Sequence, residues 1–308
     1  MRGFALLLVA GSLAAQPRID NVLIRMVPPD STSLVGARMS EIRDTAFYKE
    51  IVDQQKLPQL EQFAHDTGFD PRRDVRELLF VSTKTGGVLL ARGTFKVKPD
   101  VLKGQKPIRH GVYNIWANGT NGFCILDGTL AAAGDLPSLN AALDEWVSGP
   151  HTGSQPLLAH AKSVDPRDPF WGVSTGFAGF LADNMPHAAS GIDFSKIFRG
   201  LEDTYFEATF TTGFKALVHG ATAADQDAIN LRDTAKGLIG FGRLSVPENQ
   251  PEMLRLWDGF EVVQQGRTVE IRVDIPQNLA DRLIQMFTAP QGGRGRGRGR
   301  GVVPPQGD

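Results

Sequence analysis

The chain has 308 residues, of which 41% are hydrophobic and 22% charged, an ordinary balance for a globular protein. This length allows one large domain or two smaller ones, with a core that needs no disulfide framework. Cys124 is the single cysteine, which excludes an intrachain disulfide. Without the first 14 residues and the last 18, the chain has 28 basic and 33 acidic residues. This net charge of −5 argues against specific nucleic-acid binding, which requires a clustered basic face.

The first 14 residues have the layout of a secretory signal peptide. Arg2 precedes about a dozen apolar residues, and Ser12 and Ala14 occupy the −3 and −1 positions for cleavage before Ala15. The apolar stretch is shorter than the roughly 20 residues that span a bilayer. No cysteine follows it for lipid attachment. We therefore expect an exported protein, periplasmic or secreted, that is not an integral membrane protein.

Residues 20–150 are predicted to form a first α+β half. A short strand over 33–38 precedes helices over 40–55 and 58–66, with Gly68 suited to a helix C-cap and Asp70-Pro71 to a turn. Strands are then expected over 77–83, 87–95, 112–117, 123–126 and 130–133. Gly-Gly, Asn-Gly and Asp-Gly dipeptides lie among them and favour hairpins. An amphipathic helix over 136–147 closes this half, and residues 149–155 read as a loop.

Residues 165–290 are predicted to repeat this order as a second α+β half. A short strand over 170–174 leads into helical segments over 177–184 and 194–201, then a hairpin over 203–211 and 213–219. A long helix over 223–239 has an apolar stripe at helical spacing, and a shorter one covers 251–256. Strands over 260–265 and 268–274 turn at Gln265-Gly266. A helix over 277–287 follows them.

Together these elements predict an α+β fold with antiparallel sheets and helices packed on one face. Hairpins dominate, and few strand-helix-strand crossovers of the parallel kind occur. The Pro/Asp-rich lead at residues 28–37 compares with the lead at 166–174, so we expect two related halves from an internal duplication. Residues 291–308 alternate glycine with arginine and contain little that can be buried, which predicts a disordered tail.

The sharpest catalytic motif is Gly172-Val-Ser174-Thr-Gly176. It matches the G-x-S-x-G nucleophile elbow and lies between a predicted strand and helix, with His219 as a candidate base. The surrounding βαβ pattern of a hydrolase and a glycine-rich oxyanion loop are both missing from the sequence. A strand-to-helix junction also uses glycine for steric reasons alone. A serine hydrolase is therefore the alternative hypothesis, and our first interpretation has no catalytic residue.

Two further sets of residues are candidates for binding. Trp171, Phe177 and Phe180 are interpreted as the lining of a cleft for an apolar small ligand. Arg294, Arg296, Arg298 and Arg300 in the tail are interpreted as contacts for an anionic envelope polymer, with a solvated tail as the alternative.

No metal or cofactor is expected. His65, Asp66, Asp70 and Asp74 lack a spacing that shares a helix face, which favours turn and capping roles. Cys124 lies in an apolar run and is expected to be a buried, inert thiol.

Three short segments resemble a known class of proteins: Val27-Pro-Pro-Asp30, Thr45-Ala-Phe-Tyr-Lys-Glu50, and the run from Thr67 to Val75 that contains Gly-Phe-Asp-Pro. They are similar to uncharacterised exported bacterial proteins, classed as domains of unknown function, in which this turn precedes a strand. The resemblance covers most of residues 20–290 and implies an extracytoplasmic bacterial protein. It implies no activity, so the sequence favours a non-enzymatic binding or envelope-interaction module.

Overall fold

In the computed structural model the described residues are 20–49, 61–62, 64–65, 68–96, 106–149, 154–162, 164, 168–175, 200–248 and 250–288. They include a twelve-stranded antiparallel sheet. The strands are β1 (Ser31–Ala37), β2 (Val75–Thr83), β3 (Gly87–Gly93), β4 (Ile108–His110), β5 (Tyr113–Asn118), β6 (Asn121–Asp127), β7 (Leu130–Asp135), β8 (Phe170–Thr175), β9 (Leu201–Thr209), β10 (Phe214–Thr222), β11 (Phe260–Gln265) and β12 (Thr268–Ile275). Their order across the sheet is β11-β12-β10-β9-β8-β1-β2-β3-β7-β6-β5-β4.

Nine helices have both their first and last residues within the described ranges. They are α1 (Asn21–Ile24), α2 (Met39–Ile42), α3 (Ala46–Tyr48), α4 (Pro71–Asp74), α5 (Leu136–Ser148), α6 (Gln155–Ala161), α7 (Asp225–Leu244), α8 (Glu252–Asp258) and α9 (Gln277–Thr288). The predicted signal peptide, Phe177, Phe180 and the arginine-glycine tail lie outside the described residues.

The two predicted halves meet where β8 and β1 lie side by side in this sheet. β1 pairs antiparallel with β8, from Ser33 opposite Ser174 to Ala37 opposite Phe170. Strands of the first half extend from β1 to one edge, and strands of the second half extend from β8 to the other. One continuous sheet therefore carries both halves, and an α+β fold with antiparallel strands is confirmed.

The sheet has two faces with separate cores. On the face that we call the front, Leu34, Leu79, Leu90 and Val173 pack against α1, α5 and α6. On the opposite, back face, α7 places Ala228 and Leu231 against Val262 and Val269. Met39 of α2 and Leu78 of β2 belong to a further cluster on that back face. Helices thus lie on both faces of the sheet, whereas the sequence predicted them on one face. Each hydrophobic cluster is covered by helices from one side only.

Local sequence signals account for most element boundaries. Gly119 and Gly266 have φ angles of +63° and +54°, the left-handed conformation that glycine adopts in tight hairpin turns. The continuous helix expected over 40–55 is wrong at Thr45, whose side chain accepts a hydrogen bond from the Tyr48 amide and begins a new helix. Residues 50–55 of that prediction lie outside the described ranges.

Asp135 stabilises the junction between β7 and α5. Its carboxylate accepts hydrogen bonds from the Ser138 amide at 2.9 Å and the Gly87 amide at 2.6 Å. Burial of the carboxylate acts to raise its pKa, but these hydrogen bonds outweigh burial and lower the pKa below its usual value. The stability that this shift contributes is present above the unfolded-state pKa and is lost as the pH falls through the folded-state pKa.

We expect Asp135→Ala to lower the free energy of unfolding by about 2 kcal/mol at neutral pH, since it removes a helix cap and a second buried hydrogen bond. Urea denaturation at neutral pH measures this loss of stability, and the same measurement at the acid end of the stable range shows how the loss depends on pH. Asp135→Asn is the matched control, because it keeps a capping oxygen and loses the charge. An alanine variant as stable as the asparagine variant would contradict this role.

Candidate functional site

The side chains on the front face of the sheet change from apolar to mostly polar between β8 and β9. One row of paired residues runs from Cys124 through Ala132, Leu90, Leu79 and Gly36 to Trp171, and all of them are apolar. The same row continues across the next four strands as Glu207, Leu217, Arg272 and Glu261. Paired residues in an antiparallel sheet point to the same face. The front face is therefore apolar and covered in the first half, and polar in the second.

Two neighbouring rows extend this polar surface. Thr209, Lys215 and Asp274 form one row, and Tyr205, His219 and Glu270 form the other. On the back face of the same strands lie apolar residues such as Val269 and Val273, which α7, α8 and α9 cover. The strands of the second half thus alternate in the manner of a sheet with one face buried and one face in water.

A groove of about 930 Å³ crosses this polar surface near the ends of β9 and β12 and the starts of β10 and β11. We call it the acidic groove and define it by its charged lining residues: Asp168, Glu207, Lys215, Asp258, Glu261, Arg272 and Asp274. Five carboxylates against two cations give this set a net charge of −3. The side chains of Glu261 and Asp274 are 63% and 65% exposed, so their charges face solvent.

Three of the five carboxylates form ion pairs with other described residues. Lys215 Nζ lies 3.1 Å from Asp274 Oδ2, and Arg272 lies between Glu270 at 2.6 Å and Glu261 at 3.7 Å. Arg243 of α7 also contacts Asp258 from outside the groove. Among the described side chains that line the groove or pair with its lining, Arg243 and Glu270 included, carboxylates exceed cations by three. An excess of this sign favours cationic ligands.

His219 lies beside the acidic groove, stacked on the Tyr205 ring with centroids 4.5 Å apart and an interplanar angle of 11°. Its Nδ1 is enclosed and lies 3.5 Å from Glu270 Oε1, without a hydrogen bond. Burial, followed by the charges of Glu270 and Glu207, raises the pKa of Tyr205. This cluster forms the boundary between the apolar front core and the groove.

Ser174 and His219 do not come together. Ser174 pairs with Thr204, which pairs with Gly220, whereas His219 pairs with Tyr205, which pairs with Val173. The two side chains therefore point to opposite faces of the sheet. Ser174 is buried in regular strand, and its Oγ donates a hydrogen bond to the carbonyl oxygen of Thr32 at 3.2 Å. This is not the exposed turn of a nucleophile elbow.

Gly172 has a packing role within the same motif. A Cβ at this position would lie 2.2 Å from the ring of Phe206 on the neighbouring strand. The glycine is therefore needed for close packing of β8 against β9, which accounts for Gly172 without a catalytic role.

The other predicted site residues lie in different places. Trp171 is 2% exposed and packs over Gly36 in the front core, so it has almost no surface for a ligand. Its predicted partners Phe177 and Phe180, and the tail arginines 294, 296, 298 and 300, fall outside the described residues.

Structural roles also account for several acidic and thiol groups. Asp70 caps α4 and forms an ion pair with Arg72 at 3.0 Å, and Asp74 pairs with Arg73 at 2.7 Å. Hydrogen bonding to these arginines lowers the pKa of both carboxyls. Cys124 is fully buried, which confirms the expected burial, and burial raises the pKa of its thiol to about 11, which disfavours the thiolate. Among the residues that the structure describes, no three His, Cys, Asp or Glu side chains are grouped to hold a metal ion.

A smaller pocket of about 290 Å³ lies where the residue before α1 meets the start of β2 and the end of β3. Its charged residues contact one another. Arg92 forms an ion pair with Asp20 at 3.1 Å, and the Asp20 amide donates a hydrogen bond to Glu77 Oε1 at 3.2 Å. Burial raises the pKa of Glu77. These contacts tie α1 to the sheet, which is a structural role.

The acidic groove is the functional candidate that the sequence analysis missed. Its signal was present in β12, where Thr268–Ile275 alternates polar Glu270, Arg272 and Asp274 with apolar residues. Strict alternation of this kind indicates a strand with one face in solvent. Glu261 lies on the hairpin neighbour β11, but Glu207 comes from a strand far away in sequence, so its assembly with β12 required the sheet order.

No protein-family model matches the sequence, and no curated protein matches it significantly. Within the described ranges, no helix combines the length and apolar content needed to cross a membrane. Among solved structures, crystal form III of TP0453 superposes with a TM-score of 0.50 at 8% sequence identity, over 87% of this chain and 98% of that one. Crystal form I of TP0453 gives 0.46 at 8% identity, over 86% and 95%. The likeness to crystal form III shows that this chain is similar to TP0453 in fold.

Proposed function

We propose that this protein is an exported, non-enzymatic binding module whose acidic groove binds a cationic partner, such as a lysine- or arginine-rich peptide segment. The observation that carries the proposal is the excess of carboxylates over cations among the described side chains that line the open front face of β9–β12. A negatively charged cleft attracts cations and raises their association rate, in a salt-dependent manner.

The shape and chemistry of the groove favour an extended charged ligand. Its volume of about 930 Å³ falls at the upper end of the range of about 300–1,000 Å³ for small-ligand sites. Charged side chains from four strands line it, whereas sites for apolar ligands are lined mostly by hydrophobic groups. Carboxylates spread over several strands suit a partner with several cations better than a single compact ion.

Export of this module is supported by the signal-like segment at residues 1–14. The same segment supports a periplasmic or secreted location. The hypothesis that an apolar ligand binds at Trp171 is no longer supported, because that indole is enclosed in the front core. An anionic polymer at the tail arginines remains a proposal that rests on sequence alone.

The serine hydrolase alternative has little support from the geometry, since Ser174 and His219 point to opposite faces. We expect Ser174→Ala to leave any hydrolysis of p-nitrophenyl acetate at the wild-type rate. A loss of most of this activity in Ser174→Ala, with His219→Ala equally inactive, would restore the hydrolase hypothesis.

Titration with hexalysine tests the proposed function. We expect binding by isothermal titration calorimetry or fluorescence anisotropy at low ionic strength, with affinity falling by about tenfold or more at 0.5 M salt, because exposed charges are screened. Hexaglutamate is the matched control and should not bind the folded body. Failure to bind hexalysine at low salt would contradict the proposal.

A further inference from the structure

The two edges of the sheet differ in how well they are protected from pairing with another strand. β4 at one edge has three residues, including Arg109, and so short a strand offers little backbone for pairing. β11 at the other edge has six residues, with no proline or lysine and no bulge in its pairing with β12. Among the described residues no strand lies beyond it. β11 is therefore an open edge of the kind that accepts a further strand.

Alternate residues of β11 direct their backbone groups away from β12. The Asp274 amide donates a hydrogen bond to the Gly259 carbonyl oxygen at 2.9 Å, so these two residues lie opposite each other as a hydrogen-bonded pair. Such pairs recur at every second residue of an antiparallel ladder, so Phe260, Val262 and Gln264 have N–H and C=O groups that point outward. No described residue forms a backbone hydrogen bond with these groups. Water or another strand must satisfy them.

One flank of α7 faces this open edge. α7 packs on β11 from the back face, and Arg232 Nη1 lies 3.4 Å from Gln264 Oε1 of β11. The opposite flank of the helix faces the interior of the sheet, since a Cβ at Gly200, next to β9, would lie 3.9 Å from Asp227 Cβ. Residues near Arg232 around the helix therefore lie beside the outer strand.

This flank carries two opposite charges. Asp225 and Lys236 are about three helical turns apart and lie within about 40° of Arg232 around the helix. Both side chains are exposed, and neither forms an ion pair with another described residue. A two-fold axis between them would bring the Asp225 of each copy to the Lys236 of the other.

We propose that β11 pairs antiparallel with β11 of a second copy of this chain, around a two-fold axis. The pairing joins two twelve-stranded sheets into one. A two-fold axis suits antiparallel strands, because the same surface then serves both copies. The short β4 edge offers no second site of this kind, so assembly ends at a dimer. The inference goes beyond the cation-binding proposal and does not rest on it.

Charge on β11 selects the position of the two-fold axis. An axis at Glu261 places the two Glu261 side chains directly opposite each other, and an axis at Val262 makes them diagonal neighbours. Like charges in such positions oppose strand pairing. An axis at Val263 places Glu261 opposite the partner's Gln265, and it keeps the outward backbone groups of the two strands opposite each other. We therefore infer an axis at Val263.

The helix flank gives the same position for the axis. The midpoint between Asp225 and Lys236 lies about 2 Å along the helix from Arg232. Arg232 contacts Gln264, which is next to Val263 in the strand. An axis at Val263 therefore passes close to that midpoint and pairs Asp225 with the partner's Lys236 twice in each dimer.

Sedimentation equilibrium of the full chain at low ionic strength tests the pairing. We expect reversible dimerisation with a Kd of about 1–100 µM, as for a small interface. Gln264→Pro removes an outward N–H without removing a hydrogen bond to β12, and should weaken dimerisation about tenfold or more. Gln264→Ala is the matched control, since it keeps this N–H, and should stay within about threefold of the wild type.

Charge reversal on α7 tests whether the partner is a second copy. Asp225→Lys or Lys236→Asp alone places like charges opposite each other and should weaken dimerisation about tenfold, because each dimer contains two such contacts. The double reversal restores opposite charges and should return the Kd to within about threefold of the wild type.

Three results would count against this dimer. A chain that stays monomeric up to about 1 mM would overturn the second copy as the occupant of the edge. A dimer as strong in Gln264→Pro as in Gln264→Ala would overturn β11 as the contact. A double reversal no tighter than either single reversal would overturn the inferred axis.

Discussion

Replacement of Trp171 by alanine is expected to lower the free energy of unfolding by about 3–5 kcal/mol, the cost typical of a large-to-small change in a packed core. Trp171 is 2% exposed and lies on β8, at the strand pair that joins the two halves. Its indole packs against the opposite residue Gly36, where a Cβ would lie 2.2 Å from the ring. Urea denaturation measures the effect, and both halves are expected to lose stability together because one sheet carries them.

A double-mutant cycle with Gly36 sharpens this test. Gly36→Ala alone should also destabilise, since its methyl group would overlap the indole. In the Trp171→Ala background the same change should cost far less, because the clash is gone. Trp116→Ala serves as a control, because that side chain is half-buried and packs on Phe123 near the sheet edge. Additive effects of the Gly36 and Trp171 changes would contradict the packing described here.

Neutralising the acidic groove is expected to weaken hexalysine binding by about 10- to 100-fold. The variant combines Glu207→Gln, Glu261→Gln and Asp274→Asn, which brings the groove from a net charge of −3 to zero. Three interactions of about 0.5–1 kcal/mol each account for that range. Lys215 and Arg272 also lose carboxylate partners and then repel a cationic ligand. Stability should change by no more than about 1 kcal/mol, since exposed ion pairs contribute little.

A matched control removes three charges elsewhere. Asp30→Asn, Asp44→Asn and Asp225→Asn change exposed residues outside the groove and leave the total charge equal to that of the groove variant. We expect this control to bind hexalysine within about threefold of the wild type. An equal loss in both variants would mean that net charge, and not the groove, attracts the ligand.

Local signals in the sequence predicted most of the secondary structure. The strand at Phe260–Gln265 and the hairpin at Gln265-Gly266 have the expected bounds, because alternation and a turn glycine are properties of adjacent residues. α6 at Gln155–Ala161 was not predicted, since its start coincides with a stretch rich in glycine and proline. Pro156 lies in the first turn of that helix, where proline is tolerated.

Long-range arrangement was harder to predict. The Gly172-Val-Ser174 motif suggested catalysis, but the glycine accommodates the ring of Phe206, a contact that only the pairing of β8 with β9 creates. The acidic groove likewise depends on β10 lying between β9 and β12, which brings Glu207 and Arg272 together. The expected internal duplication stays a prediction. A comparison of the two halves would start at β1 and β8 and follow the strands outward from each.

Mapping hexalysine onto the folded protein by NMR tests the central claim most directly. In a titration at low ionic strength, we expect the largest backbone amide shifts in β9, β10 and β12, at Glu207, Leu217, Arg272 and Asp274, with little change in β1–β7. The shifts should disappear at 0.5 M salt and in the variant with a neutralised groove. Saturable shifts centred on the first half of the sheet, or no shifts at all, would contradict a cation-binding groove on β9–β12.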